Sequence, residues 1–380
     1  MNKIKVALIH NIISPYRIPL FHELSKNPSI DLCVYFESES EKNRDWIVGL
    51  ESPFNYKILP SFTLNLGKET FYHINPTIIK ELYDGKFDII ISAGYSSFTN
   101  QIAFFVAKFL RVPFILWSGS TENEPSLLRI LSLPLIKHIV KNSDAFIAYG
   151  TRAKEYLVKL GAPENKVFIS YNTVDTTFFK NECLKLKNNN YSLKNSIGIN
   201  HEHIVLYVGQ LIERKGVKYL LNAHKKLIDK YDVGLVLVGN GGQKTELIEL
   251  CKTDDISNVY FVDFVQLDNL PQYYSMADIF VLPSLEEVWG LVINEAMAFG
   301  LPIVTTTKVG ASVDLVQNGM NGFIVKDSNS QELQFAIDKI LSDQNIKENM
   351  SKVSMKKIHE QFTIRDAIDG FIDAIYYVTS

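Results

Sequence analysis

The segment LEEVWGLVINEAMAFGLPIV, residues 285–304, sets the carboxylates Glu287 and Glu295 with seven residues between them. Trp289, Leu291, Val292, Ile293, Ala296, Met297 and Phe299 leave little polar surface around these acids. A carboxylate taken out of water is costly unless something pairs with it, so a polar partner must reach the pair. Cations stand at another loop. The run IVLYVG is followed by QLIERKG, where Gly209 ends the apolar stretch and Arg214, Lys215 and Gly216 lead into a helical pattern. A glycine-opened backbone, two cations and a helix start make a phosphate-binding arrangement, and a solvated basic turn is the alternative for this loop read alone. GLVLVG is followed by NGGQKTEL, a second glycine-rich turn that includes Gly239 and Asn240; by itself it could simply be a turn that needs positive φ. Three strand ends thus point at one anionic ligand, because open α/β sheets bind ligands beyond the carboxyl ends of their strands.

The elements that must carry these loops are legible as short apolar runs alternating with helical patterns, the mark of doubly wound parallel sheets. KVALIH, IDLCVYF, FDIIISA, VPFILW and DAFIAYG fill one sheet, and IVLYVG, GLVLVG, NVYFVDF, DIFVLPS and PIVTTT fill a second. A polar, Asn- and Lys-rich stretch from about residue 180 to 200 is the expected linker. At 380 residues with 46% hydrophobic content, the chain is long enough for two cored domains. Its net charge of −3 offers no global basic field, which argues against nucleic acid as a partner. Cys33, Cys183 and Cys251 are odd in number and far apart, so a disulfide framework is not expected and a reducing compartment, the cytosol, is. The most apolar tract, AFFVAKFLRVPFILW, is interrupted by Lys108, Arg111 and Pro113, so no membrane span is expected. A nicotinamide-type dinucleotide fold is disfavoured, because HNIISPYR follows the first strand in place of G-x-G-x-x-G.

The runs VGQLIERKG, VLVGNGG, ADIFVLPSLEEVWGLVINEAMAFGLPIV and NGMNGFIV, in this order and spacing, resemble the retaining nucleotide-sugar glycosyltransferases of family 4. AYGTRAKEYLVKLGAPENKVFISYNTVDTTFF is similar to the segment with which that family leaves its first domain. The resemblance implies a GT-B fold, two doubly wound Rossmann-like domains facing across a deep cleft. It places an acceptor-binding domain at 1–180, with a C-terminal helix at about 362–380 packing back onto it, and a donor-binding domain at 181–361. Glu287 matches the first acid of the family's glutamate pair, which implies a grip on hydroxyls of the transferred sugar, and Glu295 matches the second, which implies contact with the ribose. Each carboxylate can take two hydroxyl donors, at roughly 1.5–3 kcal/mol per charged hydrogen bond. With a helix starting near Gly290, the amides of Gly290, Leu291 and Val292 would aim at the diphosphate. Lys215 and Arg214 would neutralise the departing diphosphate, and since no Asp-x-Asp is present to hold a divalent ion, these cations stand in for a metal; no cofactor is expected. Gln210 stands where many members carry Arg, so either Gln210 or Arg214 would meet phosphate. Contact with the nucleotide base is expected through backbone near Phe264 and Val265.

In the first half, Gly119 stands about where the family often has a histidine, with Ser118 and Ser120 beside it as site-lining groups. Tyr16 and Arg17, between Pro15 and Pro19, are candidates for acceptor or phosphate contact; a capping Arg beside a packed Tyr is the alternative. His10, at the end of the first strand, is expected to face the same cleft. His201 and His203 are read as solvated linker residues, and ESESEK at 37–42 as an exposed acidic loop. The stretch SLLRILSLPLIKHIVKNS sets Arg129, Lys137, His138 and Lys141 among leucines and isoleucines; it suits either an anionic membrane surface or a core helix with snorkelling cations. The function expected is retaining transfer from a nucleotide sugar to a glycan or lipid-linked glycan acceptor in cell-surface polysaccharide or glycolipid synthesis, by an enzyme that is cytoplasmic or peripheral on the membrane face. Another GT-B enzyme, a sugar phosphorylase or sugar-nucleotide epimerase, and an inactive sugar-nucleotide-binding module are the alternatives.

Overall fold

The computed structural model describes residues 3–41, 53–65, 71–122, 127–186, 194 and 198–380. The chain divides into two compact units, Met1–Asn172 with Ile364–Ser380, and Thr173–Thr363.

Unit 1 contains β1 (Ile4–Ile12), α1 (Ile18–Ser25), β2 (Ile30–Ser38), β3 (Asn55–Ile58), β4 (Phe62–Asn65), β5 (Phe71–Ile74), α2 (Ile78–Gly85), β6 (Ile89–Ala93), α3 (Phe98–Leu110), β7 (Phe114–Ser118), α4 (Leu127–Asn142), β8 (Ala145–Ala148), α5 (Thr151–Leu160) and β9 (Val167–Ile169). Seven strands form a parallel sheet in the order β3-β2-β1-β6-β7-β8-β9, and β4 pairs antiparallel with β5. Successive strand residues point to opposite faces: Val6 and Leu8 join one core with Leu20, Phe21 and Leu24 of α1, while Ala7 and Ile9 join the other with Phe104, Ile139 and Leu157. Both faces are covered, which is why these strands read as continuous apolar runs and not as alternating ones.

Unit 2 contains α6 (Thr176–Leu186), β10 (His203–Val208), α7 (Val217–Leu227), β11 (Val233–Val238), α8 (Lys244–Thr253), β12 (Val259–Val262), α9 (Leu270–Met276), β13 (Ile279–Leu282), α10 (Leu291–Ala298), β14 (Ile303–Thr306), α11 (Ser312–Leu315), β15 (Gly322–Val325), α12 (Ser330–Leu341) and α13 (Gln344–Gln361). Its six-stranded parallel sheet has the order β12-β11-β10-β13-β14-β15. The last helix, α14 (Ile364–Thr379), belongs to unit 1, where Phe371, Ala374 and Ile375 are buried in the core that also holds Phe21 and Trp117.

Each apolar run singled out in the sequence is a strand. The short strands β3, β9 and β15 and the β4–β5 hairpin are additional. Part of the expected linker is folded: 180–186 lie in α6, which buries Phe179 and Cys183, while 187–193 and 195–197 lie outside the described residues. Two further expectations are corrected. His201 and His203 are not solvated. His201 bridges Asp232 (Nδ1 to Oδ1, 2.6 Å) and the Tyr260 hydroxyl (2.9 Å), and His203 opens β10 with its ring 6.1 Å from that of Tyr231. ESESEK does not begin as an exposed loop, because Glu37 continues β2 and is buried; Glu39 and Ser40 are exposed, and Lys42 lies outside the described residues. His10 is likewise buried, its Nδ1 on the Ile12 carbonyl at 3.1 Å. Among the described residues no helix is long and apolar enough to cross a membrane.

Candidate active site at the switch point of the second sheet

In unit 2 the chain runs outward from β10 to β11 and β12, then returns to lay β13 on the other side of β10. Such a reversal opens a crevice beyond the carboxyl ends of the two central strands. The loops after β10 and β13 meet there. Leu285 donates its amide to the Arg214 carbonyl at 2.8 Å, and Gly216, at φ +65°, sits so close to the second loop that a Cβ would lie 2.3 Å from the Pro283 carbonyl oxygen. Only glycine satisfies both the left-handed backbone and the contact. The loop after β13 is held from its other side by the loop after β14. Gly310 donates to the Glu287 carbonyl at 2.9 Å, Ala311 to that of Trp289 at 3.0 Å, and Thr306 Oγ1 to that of Ser284 at 2.5 Å.

Across this seam Lys215 Nζ forms an ion pair with Glu287 Oε2, and the two side chains are only 12% and 13% exposed. Arg214 Nη2 lies 3.5 Å from Gln210 Oε1, and the Gln210 carbonyl accepts from the Tyr207 hydroxyl at 2.8 Å. Burial pushes the Tyr207 pKa well above the usual tyrosine range; the Glu287 carboxylate adds to the rise and Arg214 opposes it. Arg214, Lys215, Glu287, Gln210 and Tyr207 therefore share one electrostatic neighbourhood. Gly290, at φ +99°, caps α10, which has no side-chain N-cap, so Leu291 and Val292, both half-buried, begin a helix whose first-turn amides lack a side-chain partner.

Glu295 lies in the second turn of α10, 0% exposed, and accepts from the Tyr274 hydroxyl at 2.5 Å. In this state its carboxylate has no solvent-facing surface, so contact with a ribose requires a local displacement. Gly209 and Gly239 stand back to back, a Cβ at Gly239 falling 2.0 Å from the Gly209 carbonyl oxygen. Asn240 is exposed, and its amide, in the orientation that satisfies both ends, donates to Asp263 Oδ1 at 2.8 Å. Phe264 and Val265 are half-buried just beyond β12, two strands from β10.

The remaining candidates belong to unit 1. Ser118 ends β7 and its Oγ accepts from the Ser120 amide at 3.2 Å. Gly119 is packed against Tyr149, whose ring lies 2.3 Å from where a Cβ would stand, so any side chain here, histidine included, would displace that ring. Tyr16 is half-buried, and Arg17 is buried at the start of α1. Sequence reading missed Tyr207, Tyr274 and the Lys308–Gly310 loop. The two tyrosines carry a signal, a hydroxyl inside an otherwise apolar segment that must find a partner when buried. The loop carries none.

Residues 192–357 match the model for glycosyl transferases group 1, and residues 33–178 match that for Glycosyltransferase Family 4. The chain belongs to this glycosyltransferase family. An uncharacterized glycosyltransferase of Methanocaldococcus jannaschii is 32% identical over 203 residues, which cover 53% of this chain and 51% of the relative. The N-acetyl-alpha-D-glucosaminyl L-malate synthase of Bacillus anthracis is 26% identical over 64% of this chain and 62% of its own. This family member thus spans between half and two thirds of the length of these relatives. The crystal structure of Anabaena HepE in complex with UDP superposes with a TM-score of 0.77 at 17% identity, covering 98% of this chain and 100% of that one, a likeness of fold, GT-B.

Proposed function

We propose that this family member transfers a sugar, with retention of anomeric configuration and without a metal ion, from a nucleotide-diphosphate sugar to a glycan or lipid-linked glycan acceptor used in cell-surface polysaccharide or glycolipid synthesis. The observation that carries this reading is the Lys215–Glu287 pair astride the switch point. A largely desolvated ion pair is a poor end state for either charge, and a ligand that presents phosphate to Lys215 and hydroxyls to Glu287 replaces it with two better-matched partners. Lys215, with Arg214, would hold the β-phosphate, where negative charge grows as the glycosidic bond breaks, so fixed cations stabilise the transition state more than the ground state. Glu287 would orient the sugar by its hydroxyls. Glu295 would take the ribose once released from Tyr274. On the family's retaining route the leaving phosphate oxygen accepts the acceptor's proton on the same face of the sugar, so no protein base is invoked.

UDP is the first nucleotide to test, because the Anabaena protein was solved with it. A melting-temperature panel of UDP, GDP and their sugars should give one clear donor, since a ligand at about 100 times its Kd stabilises by roughly 2.7 kcal/mol. With that donor, Glu287→Ala should lower transfer by about 100-fold or more in EDTA-containing buffer while nucleotide binding largely survives. Full turnover by the variant, or wild-type transfer that stops in EDTA, would overturn the reading.

The acceptor's lipid would bring the enzyme to an anionic membrane through the outer face of α4. Ile130 and Leu131 are exposed there, beside exposed Lys137 and Lys141, and Phe109 of α3 is 83% exposed. Apolar side chains flanked by lysines suit a headgroup layer.

A further inference from the structure

Arg17 ends the loop that leaves β1, and only 8% of it is exposed. Its guanidinium lies over the rings of Trp117 and Tyr149, 4.8 Å from each centroid, and Nη1 donates to Asn172 Oδ1 at 2.8 Å. Every one of these partners is neutral. Among the described residues no Asp or Glu oxygen comes within 4.0 Å of it. His10 feels this charge: its pKa is pushed down to about 3 by burial first and by the Arg17 charge second, so it stays uncharged near the guanidinium. A buried cation ordinarily has a counter-charge, and ring faces and one amide oxygen compensate it less well than a carboxylate does. A guanidinium also carries five N–H donors in a fork suited to two oxygens of one anion.

The position fits a ligand. In the first sheet β1 and β6 are neighbours from which the chain runs outward in opposite directions, to β2 and β3 on one side and to β7, β8 and β9 on the other. That is the switch point of unit 1, where open sheets take ligands. Arg17 follows the carboxyl end of β1, Trp117 and Ser118 close β7, and Tyr149 follows β8.

We propose that Arg17 anchors an anionic group, a phosphate or a carboxylate, on the acceptor, so that this chain is built for acidic acceptors and not for neutral glycans. This deepens the proposed function and rests on it, together with the expectation that the first unit binds the acceptor. The counter-charge that the fold withholds is supplied by the substrate, which makes loss of that group the most damaging change an acceptor could suffer.

The test is the melting temperature of the full chain in saturating UDP, titrated with inorganic phosphate or with succinate against potassium chloride of equal ionic strength. Wild type should show a saturable rise with at least one of the two anions, and the one that acts names the acceptor group. Arg17→Met should weaken that response roughly 10- to 100-fold, the worth of one charged hydrogen bond. Because removing Arg17 could unseat Trp117 and Tyr149, Asn172→Asp provides a second arm. It gives the guanidinium an internal carboxylate and should abolish the response in a chain that melts no lower than wild type. No anion response in wild type, an unchanged response in either variant, or a response that UDP removes would overturn the proposal. Failure of UDP itself to stabilise would instead count against the donor assignment of unit 2.

Discussion

Glu37 shows what burial does to a single acid in this fold. It sits at the carboxyl end of β2, accepts from Ser97 Oγ at 2.7 Å, and is 1% exposed. Its pKa is pushed up to about 7, chiefly by burial, with the Glu41 charge adding and the Ser97 hydrogen bond opposing. The folded chain therefore holds this proton more tightly than the unfolded chain. The sign follows: the group's contribution to stability is present below about pH 4.5 and is lost as pH climbs toward 7. At about 1.4 kcal/mol per pH unit, the loss is roughly 3 kcal/mol. Glu37→Gln should remove that part of the dependence, gaining stability on wild type at pH 8 and little at pH 4.5. Denaturant melts of both proteins at the two pH values check it; parallel curves would mean that Glu37 titrates normally. The Lys215–Glu287 pair belongs to the same scale and has the opposite logic, since each of these charges already holds its partner and a ligand must offer something better.

Among the elements, α4 is where structure changes an expectation most. Arg129, which the sequence left between a membrane-facing and a snorkelling role, turns inward: its Nη2 donates to the Thr121 carbonyl at 2.9 Å and its guanidinium covers the Tyr156 ring at 4.6 Å. What α4 offers outward is Ile130, Leu131, Lys137 and Lys141, with His138 stacked on Phe105 of α3. The membrane reading is therefore tested at the exposed apolar pair, Ile130 and Leu131. Leu131→Glu, at a side chain 78% exposed, should leave the melting temperature within a few degrees of wild type and sharply reduce sedimentation with anionic liposomes at low salt. Equal sedimentation of the two proteins would remove α4 from the membrane reading. Helix α10 has a glycine N-cap that offers its first amides no side-chain partner, a feature it shares with α5 and α7.

At the scale of the whole molecule, the chain leaves unit 1 at Asn172, builds unit 2, and returns at Ile364. Helix α14 is thus the last piece of the first unit's core, and Phe371 and Ile375, both fully buried, are worth roughly 1.5–3 kcal/mol each. A chain truncated after Thr363 should lose stability in unit 1 while unit 2 keeps its response to UDP. Calorimetry with and without UDP reads this as one lowered transition and one that still moves with ligand. A single transition lowered for both units, with no UDP response, would contradict it. A net charge of −3 assigns any attraction to membrane or anion to local patches, α4 and the two switch points, and not to the molecule as a whole.

Much of this was determined by the sequence alone. Runs such as KVALIH and GLVLVG are apolar on both faces because both faces are covered, and that pattern needs no long-range information to read. Gly209, Gly216 and Gly290 mark strand ends and helix starts for the same local reason. The order of the motifs pointed to the family. Which side chains meet was decided only by tertiary structure. Lys215 and Glu287 are 72 positions apart, and Arg17 and Asn172 are 155 apart. Periodicity reports which residues share a face of one element, whereas these partners depend on strand order, which sets β10 beside β13 and brings the loops after β1 and β9 to one edge of a sheet. The burial of Glu37, the inward turn of Arg129 and the closure of Glu295 onto Tyr274 were hidden for that reason, each being set by a neighbour from another part of the chain.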